Sequence, residues 1–153
     1  MRTEMRNAPT PEVLFVCTGN YYRSRFAEAV FNHLARERQS PWRAFSRGVA
    51  IHLAPPGLSP HTAAALAKRG ISLDLTARER CQLAEADLQR AARRIALKEA
   101  EHRPYLRQLF PAWEDRVEYW HFHDLDFSTA ELVLPEIEQR VAALLEALAA
   151  TAG

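Results

Sequence analysis

The chain has only two cysteines in 153 residues, Cys17 and Cys81, with no CxxC pair and no zinc-type spacing. That excludes a disulfide framework and a closed structural zinc site, and it points to a reducing compartment, the cytoplasm. No apolar run approaches the ~18 residues that a membrane span needs. Residues 1–11 are polar with two prolines and carry no apolar segment of the kind a secretory leader requires, so no leader is expected. There is almost no net charge: 20 Lys and Arg against 19 Asp and Glu leave +1, so nothing global argues for a nucleic acid or a membrane as partner. Internal repeats and interdomain linkers are also missing. The expectation is a loose arm over residues 1–11 and a single domain over 12–153.

Charge is nevertheless uneven along the chain. Positions 1–48 hold eight Arg and four acids, whereas Pro111 to the end holds nine acids and two Arg. A basic end that meets phosphate, facing an acidic segment, is one reading; solvated helix faces are the other. Apolar periodicity gives strands at Glu12–Val16, Arg43–Val49, Arg94–Leu97 and Arg116–Phe122. It gives helices over about Ser24–Arg38, from Ser59 as N-cap with Pro60 first to Gly70, and over Gln82–Ala92. Two further helices are expected to open at prolines: one from Pro104 to about Phe110, and a last one from Pro135, with an apolar stripe Leu134, Ile137, Val141, Leu144, Leu145 and Leu148. Strands alternating with helices predict an α/β fold with a parallel sheet, whose ligands sit beyond the carboxyl ends of the strands.

One stretch carries the chemistry. Val13 to Val16 reads as a buried strand, then come Cys17, a turn through Thr18, Gly19, Asn20, Tyr21 and Tyr22, then Arg23, Ser24 and a helical pattern. Strand, short loop and helix make a phosphate cradle: loop N–H groups form an anion nest and the helix adds its positive end. A thiol of pKa ~8.5 is mostly protonated at neutral pH, but a helix N-terminus and a cation can lower that value to ~3.5–7.5. The planar fork of Arg23 suits two phosphoryl oxygens. The Ser24 hydroxyl is within one residue of Arg23, placed to hydrogen-bond the thiolate. One loop can thus hold a phosphoryl group in front of an activated nucleophile.

Cys17-Thr-Gly-Asn-Tyr-Tyr-Arg23-Ser24 resembles the signature loop of the low-molecular-weight protein tyrosine phosphatases, written C-x-G-N-x-C-R-S-P. It departs at Tyr22, where the family has a second Cys, and at Arg25, where it has Pro. The resemblance implies a four-stranded parallel sheet flanked by helices on both faces, with the signature loop after strand one. It implies Cys17 as nucleophile, Arg23 and the loop from Thr18 to Tyr22 as the phosphate site, Asn20 and Ser24 as loop and thiolate support, and no metal or cofactor. The family takes its general acid from a D-P-Y-like loop after the last strand. Here that region reads Tyr119-Trp-His-Phe-His-Asp124-Leu-Asp126-Phe127, so Asp124 is the expected acid and Asp126 its rival. The departures at Tyr22, Arg25 and Leu125 are expected around the pocket mouth, where they bear on phosphotyrosyl specificity.

Three other readings stand beside this one. His121, His123 and Asp124 can supply metal ligands, although no third cluster supports them. Cys81 suggests the thiol relay of the related arsenate reductases, but it is alone and precedes the third strand, so a structural Cys is the simpler account. A phosphate- or phosphopeptide-binding module without turnover is the reading from another class. The expected protein is a monomeric cytoplasmic phosphatase acting on a phosphorylated protein or a small phosphomonoester.

Overall fold

The computed structural model describes residues 10–125 and 128–152. Most of the expected N-terminal arm, residues 1–9, lies outside them. Four strands form one parallel sheet: β1 (Glu12–Cys17), β2 (Arg43–Gly48), β3 (Arg93–Ala96) and β4 (Glu118–Tyr119), in the order β2-β1-β3-β4. The helices are α1 (Arg23–Glu37), α2 (Pro60–Lys68), α3 (Glu85–Arg90), α4 (Glu99–Leu109) and α5 (Ala130–Ala152). The central strand is buried on both sides, as a parallel sheet requires. Val13 and Phe15 face one cluster with Phe26, Val30, Leu66, Ile137 and Val141; Leu14 and Val16 face another with Phe45, Leu88, Leu106 and Trp113. Helices therefore cover both faces, and the expected α/β architecture holds.

Several boundaries differ from the expectation, for identifiable reasons. The last strand is two residues long rather than Arg116–Phe122, because a 3₁₀ turn over Pro111–Arg116 takes its first part. Beyond it the backbone still follows β3: Trp120 N–H donates to Ala96 O at 2.9 Å and Phe122 N–H to Leu97 O at 2.7 Å. The helix expected over Gln82–Ala92 shortens to Glu85–Arg90, since the Asp87 carboxylate accepts from Ala84 N–H at 2.9 Å and fixes the start there. Neither Pro104 nor Pro135 opens its helix: each lies inside, at the sixth position of α4 and of α5. Proline there removes one intrahelical bond, to Ala100 O and Glu131 O respectively. Both of those residues are exposed, so water can take the acceptor left over.

Among the described residues, no helix is long and apolar enough to cross a membrane. The segments that carry the site all leave the same edge of the sheet: the loop after β1, Gly48 at the end of β2, the start of α4 after β3, and the loop after β4.

Candidate active site

β1 delivers Cys17 almost fully buried, 2% exposed, at the base of a cleft of about 710 Å³. The backbone there is pinned to the chain after β2: Val49 N–H donates to Cys17 O at 3.0 Å and Ala50 N–H to Thr18 O at 2.8 Å. The loop then turns sharply through Asn20, whose φ of +51° is left-handed, a conformation that Asn tolerates better than most residues. The Asn20 side chain holds that turn. Its Nδ2 donates to Ser24 Oγ and to Ser46 Oγ, both at 2.9 Å, and its Oδ1 accepts from Cys81 N–H at 2.8 Å. Ser24 Oγ lies 2.9 Å from Cys17 Sγ. With an Asn20 N–H already pointing at its oxygen, the hydroxyl has its own proton free for the sulfur.

α1 opens directly after the loop, and no side chain caps its first turn. Its leading N–H groups are therefore left without side-chain acceptors among the described residues, and a helix start of this kind favours an anion. Glycine is required on both sides of the loop. A Cβ on Gly48 would stand 2.7 Å from Thr18 O and 2.8 Å from Asn20 N, and one on Gly19 would stand 2.5 Å from the Ala54 Cβ.

Arg23, 2% exposed, has five N–H donors, and their partners show which edge is left for a ligand. Nη1 donates to Glu101 Oε1 at 3.1 Å and to Phe122 O at 3.0 Å, and Nη2 donates to Glu101 Oε2 at 2.6 Å. Nε is buried and has no hydrogen-bond partner among the described residues. Asp124 Oδ2 lies 3.5 Å from Nη2. The side edge of the guanidinium, Nε with Nη2, is thus the fork that remains.

Glu101 is the anchor of this arrangement. Burial alone would raise its pKa. Hydrogen bonds from His102 and Arg23, and the charge of Arg23, instead hold it well below the usual carboxylate range. It also accepts from the Thr18 hydroxyl. His102 is fully buried, which pushes its pKa down and keeps the ring neutral. Lys98 N–H donates to its Nδ1 at 3.1 Å, so the ring proton sits on Nε2, 3.1 Å from Thr18 Oγ1 and 3.2 Å from Glu101 Oε2.

Asp124 lines the same cleft beside Arg23, its side chain 38% exposed and its Oδ1 accepting from Leu125 N–H at 2.9 Å. Asp126, the rival acid, lies outside the described residues. Tyr21, Leu53, Pro55, Tyr105 and Leu125 give the cleft a largely apolar mouth. Tyr22 lines it too, and burial, with the nearby Asp124 charge, pushes its phenol up to about 12 against the pull of Arg23.

The structure brings together Cys17, Thr18, Gly19, Tyr21, Tyr22, Arg23 and Asp124 around one cleft, with Asn20 and Ser24 beneath it. Arg25 is the exception among the departures expected at the mouth. It is 1% exposed and lies behind the loop, hydrogen-bonded to Asn20 O and Thr76 Oγ1. His121 and His123 meet edge to face at 5.0 Å, and no group of three or more His, Cys, Asp or Glu is placed to hold a metal among the described residues. Both cysteines are free, and Cys81 serves the loop through its backbone N–H. Sequence reasoning missed Glu101, His102, Ser46 and Gly48. The one signal for Glu101 was its place just past the carboxyl end of a parallel strand.

The model of the family described as low molecular weight phosphotyrosine protein phosphatase matches residues 12–152. The chain belongs to that family. As a member it is a cysteine-dependent phosphatase, and its substrates are phosphoproteins or phosphomonoesters. Solved structures agree. A low molecular weight protein tyrosine phosphatase from T. tengcongensis is 27% identical, with a TM-score of 0.72 over 92% of this chain and 99% of that one. YfkJ from Bacillus subtilis is 25% identical, TM-score 0.80, over 95% and 98%. The YwlE arginine phosphatase from Geobacillus stearothermophilus is 25% identical, TM-score 0.73, over 92% and 94%. No curated protein matches the sequence.

Proposed function

We propose that the phosphatase works through a phosphocysteine on Cys17. The Cys17 thiolate attacks phosphorus, an S–P bond forms as the ester P–O bond breaks, and the Asp124 carboxyl gives its proton to the leaving oxygen. Water then attacks phosphorus, Asp124 takes a proton from it, the S–P bond breaks, and inorganic phosphate leaves with the thiolate restored. Loop amides and the free Nε–Nη2 edge of Arg23 hold the phosphoryl oxygens, and Ser24 steadies the sulfur each time it is a thiolate. Every group named comes from one chain, so a monomer suffices, and a reducing cytoplasm keeps the thiol available.

The observation that carries this reading is the convergence on one cleft of Cys17 with its 2.9 Å Ser24 partner, the unpartnered Nε of Arg23, and Asp124 beside the same guanidinium. The mouth favours a flat or apolar alcohol over a charged one, because Tyr21, Leu53, Tyr105 and Leu125 surround it. An aryl phosphomonoester such as a phosphotyrosyl side chain fits that lining. The test is turnover of 4-nitrophenyl phosphate with a chelator present, by wild type and Cys17→Ser. Wild type should turn over and Cys17→Ser should not, while still binding vanadate through the amides and Arg23. Turnover by Cys17→Ser within tenfold of wild type would rule out the covalent route.

A further inference from the structure

Behind the signature loop, on the side away from the cleft, five buried side chains close a ring of hydrogen bonds. Arg25 Nε donates to Thr76 Oγ1 at 2.5 Å, and the Thr76 hydroxyl donates to Glu28 Oε1 at 2.8 Å. The Ser46 hydroxyl donates to the same Glu28 oxygen at 2.7 Å, and Asn20 Nδ2 donates to Ser46 Oγ at 2.9 Å. Arg25 Nη1 then closes the ring on Asn20 O at 3.3 Å. The same guanidinium also takes Gly57 O at 3.4 Å and Ala77 O, so three chain segments meet on it. Both arms of the ring thus run from Arg25 and converge on Glu28, and Asn20 Nδ2 also donates to Ser24 Oγ, which lies 2.9 Å from Cys17 Sγ.

We infer that Arg25, with Glu28 as its counter-charge, is a positioning residue for the phosphatase reaction: it holds the Asn20 carbonyl outward, and so keeps the loop amides and Ser24 aimed at phosphate and thiolate. Two physical points support this. In an anion nest the N–H groups point inward, so the carbonyls of the same turn point outward and need donors of their own. Asn20 also holds a left-handed backbone, which persists only when surrounding contacts over-determine it. The two buried groups depend on one another. Burial pushes Arg25 down against the charge of Glu28, and pushes Glu28 up against bonds from Ser46 and Thr76 and the charge of Arg25.

This inference rests on the phosphatase reading, and the experiment separates the two. Arg25→Met, Glu28→Gln and the double variant are compared with wild type for melting temperature, vanadate affinity and kcat on 4-nitrophenyl phosphate. Arg25→Met should melt earlier, because it strands a buried carboxylate. The double variant should recover most of the melting temperature, since neither charge is left alone. Its kcat and vanadate affinity should stay about 10–100-fold below wild type, the scale of an ångström-sized misplacement. A double variant with wild-type kcat and vanadate affinity, or activity that simply follows melting temperature across the set, would overturn the inference and leave the ring a stability feature. Absence of turnover in wild type would count against the phosphatase reading instead, and vanadate affinity would still decide the role of Arg25.

Discussion

Glu101 decides which edge of Arg23 faces the cleft. By accepting from Nη1 and Nη2 it leaves Nε and one Nη2 proton as the donors that the proposed reaction assigns to the phosphoryl group. A lysine at position 23 would keep the charge but lose both the pairing with Glu101 and the fork. The same carboxylate has a consequence for stability against pH. Glu101 in the folded chain takes up its proton only well below the ~4.3 of an unfolded glutamate, and buried His102 resists the proton that an unfolded histidine accepts below ~6.5. Both groups bind fewer protons folded than unfolded, so their contribution is present above the unfolded pKa and lost as pH falls. Glu28, raised by burial, acts in the opposite sense. Melting curves in the acid range should therefore show Glu101→Gln less stable than wild type at neutral pH, with a flatter decline below about pH 4.3. Parallel declines for the two proteins would mean that Glu101 does not carry this linkage.

At the scale of elements, the signature loop is shaped by what lies beneath it as much as by its own residues. Gly48, at the end of β2, lets Thr18 O and Asn20 N approach within a distance that a Cβ would occupy. Gly48→Ala should push the loop off its seat and lower kcat by about 10²-fold while the far side of the sheet stays intact. Measuring kcat and vanadate affinity together checks it; unchanged values would show that the loop does not need this close approach. Gly48 also shows where sequence reasoning stopped. Strand β1, helix α1 and the cradle between them were legible because the apolar run, the turn residues and the helical period are all local. The Ser59 cap was legible for the same reason, and the structure shows Ser59 Oγ accepting from His61 N–H at 3.2 Å. Glu101, Ser46 and Gly48 were not, because each reaches the loop from a different element, α4 for Glu101 and β2 for Ser46 and Gly48, and no motif in the sequence ties them to it. Pro104 and Pro135 misled because proline is a good marker of a helix start only where the lost hydrogen bond matters. Here the lost bond falls on exposed Ala100 and Glu131.

Over the whole molecule, the parallel sheet assembles a cleft from residues more than a hundred positions apart. Cys17 comes from the end of the central strand, and Asp124 from the loop that follows β4 on the edge. That separation gives Asp124 an independent role to test. Asp124→Asn keeps the shape of the side chain but removes the proton that the proposed reaction has it donate. With an alkyl phosphate, whose leaving group needs that proton, kcat should fall by about 10²–10⁴. With an activated aryl phosphate the fall should be smaller. Asp126→Asn should do little with either substrate; a larger, leaving-group-dependent loss there would move the acid by two residues. The central claim, however, is the covalent one. Wild type mixed with a slight excess of 4-nitrophenyl phosphate, quenched in acid within the first turnover and digested, should yield a Cys17 peptide heavier by one phosphoryl group, and Cys17→Ala should not. A wild-type enzyme that releases nitrophenol with no labelled Cys17 peptide at any quench time, or with the label on another residue, would contradict it.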